Sequence, residues 1–424
     1  MYICRKHNPM RLLISLMCLA LFFSCKQDSK TPTSTETSES NTAISADIEE
    51  IASPVQGNSH LPRLALGSET LQMTWVETQD SLAVLKYSRY VKDAWTRPQT
   101  ITEGTDWFVN WADFPALGVN GDTMLTNVLQ KSAEGTYDYD VKLSMFTPAG
   151  IKKGNFLLNT DGIQAEHGFV SLHAYDDGFY VSWLDGRNTK DEDRSKNQMS
   201  LRNAFIDLEG NISQETEVDN RVCDCCSTAT AITRNGPVVV YRDRSESEIE
   251  VRDMSIVRWV DGMWTAPKSI HQDNWLLNGC PVNGPAIATK EEHMAVTWFT
   301  AANDTPSVWV VFSQDNGANF NEPIRLDAGN AIGRVDLTML DTSTALVSWL
   351  EPQGESMVLQ LAKVHVDGSK EAPITVTKTS AARQSGFPQM EVIDNTAYVA
   401  WTDVTAGEDG KKGTTKVRVL KVAL

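Results

Sequence analysis

The chain has 424 residues, 41% of them hydrophobic and 22% charged, and this ordinary globular composition excludes a mostly disordered or fibrous protein. Its formal charge is −17, whereas proteins that bind nucleic acid present basic surfaces that neutralise phosphates. We therefore expect no nucleic-acid partner and no general binding to anionic membrane surfaces.

The N-terminal residues have the features of an export signal. Basic residues precede an apolar run over residues 12–23, which is too short for a comfortable transmembrane span. Ser24 and Cys25 follow, and this ending resembles the lipobox of bacterial lipoproteins. The resemblance implies cleavage before Cys25 and lipidation of that residue. A plain signal peptide with an incidental cysteine is the alternative.

Three segments are predicted along the chain. Residues 1–24 form the lipoprotein signal peptide. Residues 25–45 form a lipidated flexible tether, because they are rich in Ser, Thr and Glu and poor in apolar side chains. Residues 46–424 form one domain. Lys26 does not resemble an inner-membrane retention signal, so we expect a cell-envelope protein on the outer membrane, facing the periplasm or the surface and touching the membrane only through its lipid.

The domain is predicted to consist of repeated units of four short strands. One strand of most units ends in an aromatic residue: Trp75, Trp183, Tyr241, Trp298, Trp349 and Trp401. Four-stranded units at a fixed period are typical of a β-propeller, so the fold class is all-β. We expect seven blades, with six as the alternative because the second unit, around residues 123–127, is weak. Residues 46–54 are predicted to form an N-terminal strand that completes the last blade and closes the ring.

One turn carries a family signature. Ser313, Asp315, Gly317 and Phe320 fit the pattern Ser-x-Asp-x-Gly-x-x-aromatic, which resembles the Asp-box, or BNR repeat, of sialidase-like propellers. The resemblance implies a glycan-active propeller, of exo-sialidase type if it is an enzyme. Sialidases open with an aromatic-Arg-Ile-Pro string that supplies the first of three arginines, whereas residues 61–63 read Leu-Pro-Arg. No Tyr/Glu nucleophile pair can be assigned by motif, so catalysis is left open.

The alternation of strand direction places the candidate site. We name the strands of a blade A to D in chain order. The D-to-A and B-to-C connections then share one face of the propeller, and the Asp-box turn lies on the other. Acidic residues recur two positions after the aromatic of strand B, and arginines occur in the same connections. We expect Asp243, Glu351, Asp403 and Tyr241 as catalytic candidates, and Arg187, Arg242, Arg244, Arg334 and Arg383 as substrate-binding candidates. The alternative is that each acid pairs with an arginine or caps a loop amide.

Four cysteines remain once the signal and the lipidation position are set aside: Cys223, Cys225, Cys226 and Cys280. An even number in an exported domain predicts disulfides. The pairing Cys225–Cys280 with Cys223–Cys226 and the pairing of Cys226 with Cys280 both stay open. A thiolate metal site, with His173 or His271 nearby, is the alternative. We expect no metal and no other cofactor.

These features predict a lipid-anchored, monomeric, sialidase-like propeller that binds an anionic glycan or glycoconjugate at the channel face, with hydrolysis left open. A non-catalytic propeller that binds a glycan or a protein is one alternative, and a cysteine-cluster metal-binding or redox protein is another. Convergence of Arg242, Arg334 and Arg383 in one pocket, beside an acid and a tyrosine, would favour the sialidase hypothesis.

Overall fold

The structure is a computed structural model that describes residues 47–67, 70–407 and 413–424. The predicted signal peptide, the tether and the lipidation position Cys25 lie outside these residues. Within them, strand β1 (Ile48–Ile51) comes first, followed by six complete sheets and a seventh that β1 completes.

The strands form seven antiparallel blades, as predicted. Blade 1 contains β2 (Ser59–Leu66), β3 (Leu71–Gln79), β4 (Leu82–Val91), β5 (Ala94–Trp95) and β6 (Gln99–Gly104). Blade 2 contains β7 (Leu117–Asn120), β8 (Thr123–Lys131), β9 (Tyr139–Thr147) and β10 (Gly150–Leu157). Blade 3 contains β11 (His167–Tyr175), β12 (Gly178–Asp185), β13 (Met199–Asp207) and β14 (Ile212–Val222). The weak second unit of the sequence is therefore a full blade.

The remaining blades repeat the arrangement. Blade 4 contains β15 (Ala229–Thr233), β16 (Gly236–Arg242), β17 (Met254–Val260), β18 (Met263–Trp264) and β19 (Lys268–Ser269). Blade 5 contains β20 (Ala286–Lys290), β21 (His293–Thr300), β22 (Ser307–Ser313) and β23 (Ile324–Arg325). Blade 6 contains β24 (Gly333–Met339), β25 (Thr344–Gln353), β26 (Ser356–His365) and β27 (Ile374–Thr379). Blade 7 contains β28 (Gln389–Ile393), β29 (Thr396–Thr405) and β30 (Thr414–Ala423), with β1 as its outer strand.

The ring is closed by pairing between the two ends of the described chain. Strand β1 pairs antiparallel with β30, with Ile48 opposite Val422 and Ile51 opposite Val419, which confirms the predicted closing strand. The A strands of consecutive blades contact each other all the way round, from β2 through β28 and back to β2. Each blade is therefore held between two neighbours.

The aromatic residues at the ends of the B strands pack between blades. Trp75, Trp183, Trp298 and Trp349 are almost completely buried. Trp75 shares a cluster with Ile51 and with β30 of blade 7, and the other three also pack on the preceding blade. Burying an indole of this size removes a large apolar surface from water. These residues hold the blades together.

The connections differ between the two faces. On one face, the turn between β22 and β23 is stabilised by the Ser313 hydroxyl, which accepts a hydrogen bond from the Gly317 amide at 2.9 Å and donates to Asp315 Oδ1 at 2.8 Å. Gly317 has φ +78°, which favours glycine. The other face carries four short 3₁₀ helices: Arg187–Thr189, Arg194–Lys196, Ala302–Asp304 and Arg383–Ser385. No helix in the described part of the chain has the length and apolarity to cross a membrane.

Ring closure predicts a measurable stability effect at Ile51. The residue is 8% exposed and packs among Trp75, Val417 and Val419. Ile51→Ala should lower the free energy of unfolding in urea by about 2–4 kcal/mol, because it removes buried methyl groups and leaves a cavity. Glu49→Ala, on the same strand but exposed, should change it by less than about 0.5 kcal/mol. Equal midpoints for both variants would show that β1 does not support the ring.

Candidate functional site

Long connections lie on the face of the propeller that the D-to-A and B-to-C connections were predicted to share. Those from strand D to the next strand A include 105–116, 158–166, 223–228 and 270–285, and those from B to C include 132–138, 186–198 and 243–253. They belong mainly to blades 1 to 5, where they place ionisable side chains from separate parts of the chain close together.

A tyrosine on this face lies between two carboxyl groups. The Tyr139 hydroxyl is 2.8 Å from Glu166 Oε1 and 3.1 Å from Asp113 Oδ2. The other Asp113 oxygen accepts the Phe169 amide at 2.7 Å. Gly168 allows this approach, since a Cβ atom there would meet Asp113 Oδ2 at 2.1 Å.

At neutral pH, Glu166 and Tyr139 hold their protons and Asp113 is partly protonated. Burial raises the pKa of Asp113 to about 7 and that of Glu166 to about 8. Burial and the two nearby acids also raise the pKa of Tyr139 well above its usual value. A phenol has one proton to donate, so it bonds to one carboxylate at a time, and its contact with the second acid requires that acid to be protonated. Such raised carboxyl pKa values are typical of general acids.

A buried histidine lies beside this group. His167 Nε2 is 3.1 Å from Asp161 Oδ2 and 3.6 Å from Asp185 Oδ1, and its Nδ1 is 3.2 Å from the Tyr139 carbonyl oxygen. Arg187 donates from Nε and Nη2 to the two oxygens of Asp185, each at 2.7 Å. Burial acts to raise the pKa of Asp185, but Arg187 outweighs it and the pKa lies below its ordinary value. Asp161, His167 and Asp185 offer three ligand atoms within 4.8 Å, although Arg187 already neutralises part of their charge.

An open cleft adjoins the acid group on blade 3. Its volume is about 560 Å³, and its lining consists of Ile163, Arg187, Asn188, Lys190, Asp191, Lys196, Gln198, Glu217 and Asn220. The Lys190 ammonium is 2.7 Å from Asp138 Oδ1 and is also one of the charges that act on Glu166. The cleft therefore brings cations and amides close to the Glu166 carboxyl group.

The four cysteines lie together at the junction of blades 3 and 4. Cys223 Sγ is 3.7 Å from Cys225 Sγ and 3.6 Å from Cys226 Sγ. Cys280 Sγ lies within 4.8 Å of Cys225 Sγ and of an Asp224 oxygen. Within the described residues all four are free thiols, and the predicted disulfides stay a prediction.

A glycine and two arginines shape the surroundings of the thiols. A Cβ atom on Gly284 would meet the Ser227 carbonyl oxygen at 2.2 Å, so glycine lets connection 270–285 pack on connection 223–228. Arg242 and Arg252 are only 1% and 4% exposed. Burial acts to raise the pKa of Cys226, but donation from the neighbouring thiols and the Arg242 charge outweigh it, and its pKa lies below the usual value.

The predicted arginines bind the connections to one another. Arg242 donates to the carbonyl oxygens of Arg252, Asn283 and Phe299 at 2.6–3.0 Å. Arg334 donates from Nη1 and Nη2 to connection 380–388, and its guanidinium lies 5.0 Å from the centre of the Trp111 ring. Both guanidinium groups thus direct their donors at carbonyl and hydroxyl oxygens of the protein.

The remaining two predicted arginines differ from these. Arg244 donates to Glu250 at 2.7 Å, and Arg383 is exposed on its short helix. Arg242, Arg334 and Arg383 therefore do not present three guanidinium groups to one pocket, as the sialidase hypothesis requires.

The predicted acids also have protein partners. Tyr241 donates to Asp219 at 2.6 Å, and Asp243 accepts from the Arg244 amide and the Ser255 hydroxyl. Glu351 accepts from the Ala328 amide at 2.9 Å and from Gln360, while Asp403 pairs with Arg418 at 2.8 Å. These contacts fit the alternative that each acid pairs with an arginine or caps a loop amide.

The recurring acid after strand B has a second structural use. Glu77 and Asp185 accept the indole N–H groups of Trp75 and Trp183 at 2.9 and 2.8 Å. The indole nitrogen, two residues earlier on the strand, would otherwise be a buried donor. Trp298 donates to Asp273 instead, and the indole nitrogens of Trp349 and Trp401 have no hydrogen-bond partner within the described residues. This use of the acid therefore holds for blades 1 and 3.

Two residues of the acid group, Asp113 and Glu166, could have been selected from the sequence but were not predicted as site residues. Asp113 and Glu166 lie just before an A strand, in the connections already expected to converge on this face. Tyr139, at the start of β9, follows no residue pattern. The structure brings the three together from two connections and the start of one strand.

Comparison with solved structures shows the same fold in glycan-active proteins. An ulvan lyase of family PL25, bound to -[GlcA(1-4)Rha3S]-, matches with a TM-score of 0.55 at 8% identity, over 87% of this chain and 95% of its own. The polysaccharide lyase Uly1 matches with a TM-score of 0.51 at 10% identity, over 86% and 90%. The endosialidase of phage phi92 matches with a TM-score of 0.50 at 9% identity, over 89% and 69%. No family model and no curated protein matches the chain.

The raised carboxyl pKa values predict how stability depends on pH. Unfolded Asp and Glu titrate near pH 4, so the native state loses stability as the pH rises from about 4 through about 8, where Asp113 and Glu166 ionise in the fold. In Asp113→Asn, the free energy of unfolding lost between pH 5 and 9 should be smaller than in the wild type by on the order of 3 kcal/mol. Asp122→Asn, an exposed position, should leave the wild-type slope. Parallel pH profiles for the wild type and Asp113→Asn, from urea unfolding, would contradict the buried-acid interpretation.

Proposed function

We propose that the protein binds an acidic glycan in the cleft on blade 3 and that Glu166 acts as the proton donor in its hydrolysis. The observation that carries this proposal is the placement of the Tyr139 phenol between Glu166 and Asp113, 2.8 and 3.1 Å from their oxygens. A carboxyl group with a pKa near 8 is protonated at neutral pH and can act as a general acid.

The proton can be replaced from within the same group. Glu166 is half-buried, whereas Asp113 and Tyr139 are fully buried. Once Glu166 has protonated the leaving-group oxygen, the phenol can pass a proton on and recover one from Asp113. Water supplies the hydroxyl group to the sugar and its remaining proton restores the acid pair. The two transfers within the group follow the hydrogen bonds of the Tyr139 hydroxyl to Glu166 and Asp113.

The cleft lining suits a negatively charged sugar. Lys190 lies on the side towards Glu166 and Lys196 adds a second cation, while Arg187 is paired with Asp185 and Glu215. Guanidinium and ammonium groups bind carboxylates and sulfates. The amides of Asn188, Gln198 and Asn220 can donate to and accept from hydroxyl groups. Bound -[GlcA(1-4)Rha3S]- in the ulvan lyase and the activity named for the endosialidase support an acidic substrate.

Separate variants test binding and proton donation. The probes are polysialic acid, polyglucuronic acid and a sulfated rhamnoglycuronan, with neutral arabinan for comparison. Lys190→Ala should weaken binding of the preferred acidic glycan about fivefold, and more at low salt, because one cation is lost. Glu166→Gln should retain binding but reduce the release of reducing ends at least a hundredfold. Wild-type cleavage should fall as the pH rises through about 8.

Matched controls carry the same chemical changes away from the cleft. Lys152→Ala on the outer strand of blade 2 and Glu134→Gln in connection 132–138 are both exposed, and both should behave as the wild type. Binding without any wild-type cleavage would refute the role of Glu166 alone. Equal binding of neutral and acidic glycans, or unchanged binding by Lys190→Ala, would refute the cleft assignment.

We also propose that the protein is a lipoprotein of the outer membrane, anchored through Cys25. The support is the sequence of its N-terminus, with a basic start, a short apolar run and Ser24-Cys25. A tether of about twenty residues would let the propeller reach glycans beyond the membrane surface. The channel face could then meet its ligand independently of the anchor.

The anchor is tested by metabolic labelling with an alkyne fatty acid. Cys25→Ser should abolish the incorporation of label and release the protein into the soluble envelope fraction, because the acylated thiol is lost. Cys18→Ser, inside the apolar run of the signal, should be labelled as the wild type. Labelling that survives Cys25→Ser would contradict the anchor.

A further inference from the structure

We propose that Cys223, Cys225 and Cys226 form a binding site for one thiophilic d¹⁰ metal ion, Cu(I) or Zn(II), at the junction of blades 3 and 4. Neither the glycan site nor the anchor depends on it. It departs from the sequence-based expectation of disulfides and of no metal, and it rests on the positions of the four sulfur atoms and of the buried cations around them.

The first observation is the spacing of the sulfur atoms. Cys223 Sγ is nearly equidistant from the other two, at 3.7 and 3.6 Å, and all three atoms lie within 4.8 Å of one another. With a metal–sulfur bond of about 2.3 Å, two thiolates on a tetrahedral or trigonal ion stand about 3.8–4.0 Å apart. The three thiols are thus already close to the separation that one ion would require. The sequence alone does not show how the adjacent Cys225 and Cys226 could bind one ion. The turn at 223–226 brings their sulfur atoms to this spacing.

The second observation is a buried cation with unused donors. Arg252 is 4% exposed, and its Nε and Nη1 have no hydrogen-bond acceptor within the described part of the chain. Its Nη2 is held by Glu250, and Arg252 is close enough to Cys223 for a negative charge on that sulfur to act on it. A neutral thiol is a weak acceptor, whereas a metal-bound thiolate accepts N–H donors and carries negative charge. Occupied by an ion, the cluster would supply the acceptor that Arg252 lacks.

The third observation is support on the other side of the cluster. Connection 270–285 packs on the cysteine turn through Gly284 and Ser227, and the Arg242 guanidinium, which donates to the Asn283 carbonyl oxygen, is one of the charges that act on Cys226. Three thiolates with Cu(I) carry a net charge of −2, and with Zn(II) a net charge of −1. Two buried arginines flank them, which reduces the free-energy penalty of holding an anionic cluster out of water.

Cys280 has a different position from the other three. It is exposed, and its sulfur groups with Cys225 and Asp224 rather than with the whole triad. An exposed thiol next to one ligand can take up an ion from solution and pass it inward by ligand exchange. His173 and His271, suggested as additional ligands from sequence, hydrogen-bond to the Ala174 carbonyl and to Asp273 instead.

Metal content and sulfur state test the site on the full, exported chain. The protein is purified under anaerobic conditions without reductant, and its copper and zinc are measured by mass spectrometry. We expect one equivalent of one of these ions per chain. The exposed Cys280 should react at once with a colorimetric thiol reagent, whereas the three ligand thiols should resist it until a chelator removes the ion. Competition with bicinchoninate for Cu(I), and with a zinc indicator for Zn(II), identifies which ion is retained. X-ray absorption should show three sulfur neighbours at about 2.3 Å.

Cysteine variants separate ligands from bystanders. Cys226→Ser should lower retained metal at least tenfold, whereas Cys280→Ser should keep one equivalent and exchange it more slowly. Because Cys226→Ser could disturb folding, its circular dichroism and melting temperature are compared with those of the chelator-treated wild type, which also lacks the ion but keeps all three cysteines. Four oxidised sulfurs without metal, bound metal without sulfur neighbours, or loss of metal in Cys280→Ser would each overturn the three-thiolate site.

Discussion

Closure of the ring is the constraint on which the other features of this propeller depend. Strand β1 pairs with β30, and Trp75, Trp183, Trp298 and Trp349 each pack on the blade before their own, as Trp75 does on blade 7. A blade in an open row would expose one apolar face and one strand edge to water. Because every blade is held between two neighbours, the alternation of strand direction places all D-to-A and B-to-C connections on the same face of the ring. The ionisable side chains in these connections therefore lie on that face.

The closed ring also explains why so many charged groups of the channel face are engaged with the protein itself. Long connections carry backbone carbonyl groups that need donors when they are covered. Arg242 and Arg334 supply those donors. Arg242 joins connection 243–253 to connection 270–285 and to β21 of blade 5, and Arg334 joins β24 to connection 380–388. A guanidinium group has five N–H donors in one plane, so it suits this use better than lysine. The arginines that the sequence places near the site thus organise the loops on which other residues do their chemistry.

The fold was predictable because its signals are local and repeated. The aromatic end of strand B, the turn at Ser313–Gly317 and the closing strand at 48–51 each lie in a few adjacent residues, and repetition strengthens the signal. The acid group is different, since Asp113, Tyr139 and Glu166 lie on three separate segments and share no spacing. The burial of Arg242 could not be predicted from the residues near it in the sequence either. It requires connection 270–285 to fold over the end of β16, which depends on Gly284 packing against Ser227.

The acid group and the thiol cluster on the channel face depend on different interactions and share one neighbouring residue. The acid group depends on desolvation, which keeps protons on Glu166 and Asp113, while the thiol cluster depends on sulfur spacing and on buried arginines. Asp224 is the shared neighbour, since its charge acts on Glu166 and on Arg252. Because neither group uses a ligand atom of the other, we expect the proposed glycan cleavage and the proposed metal binding to be lost separately.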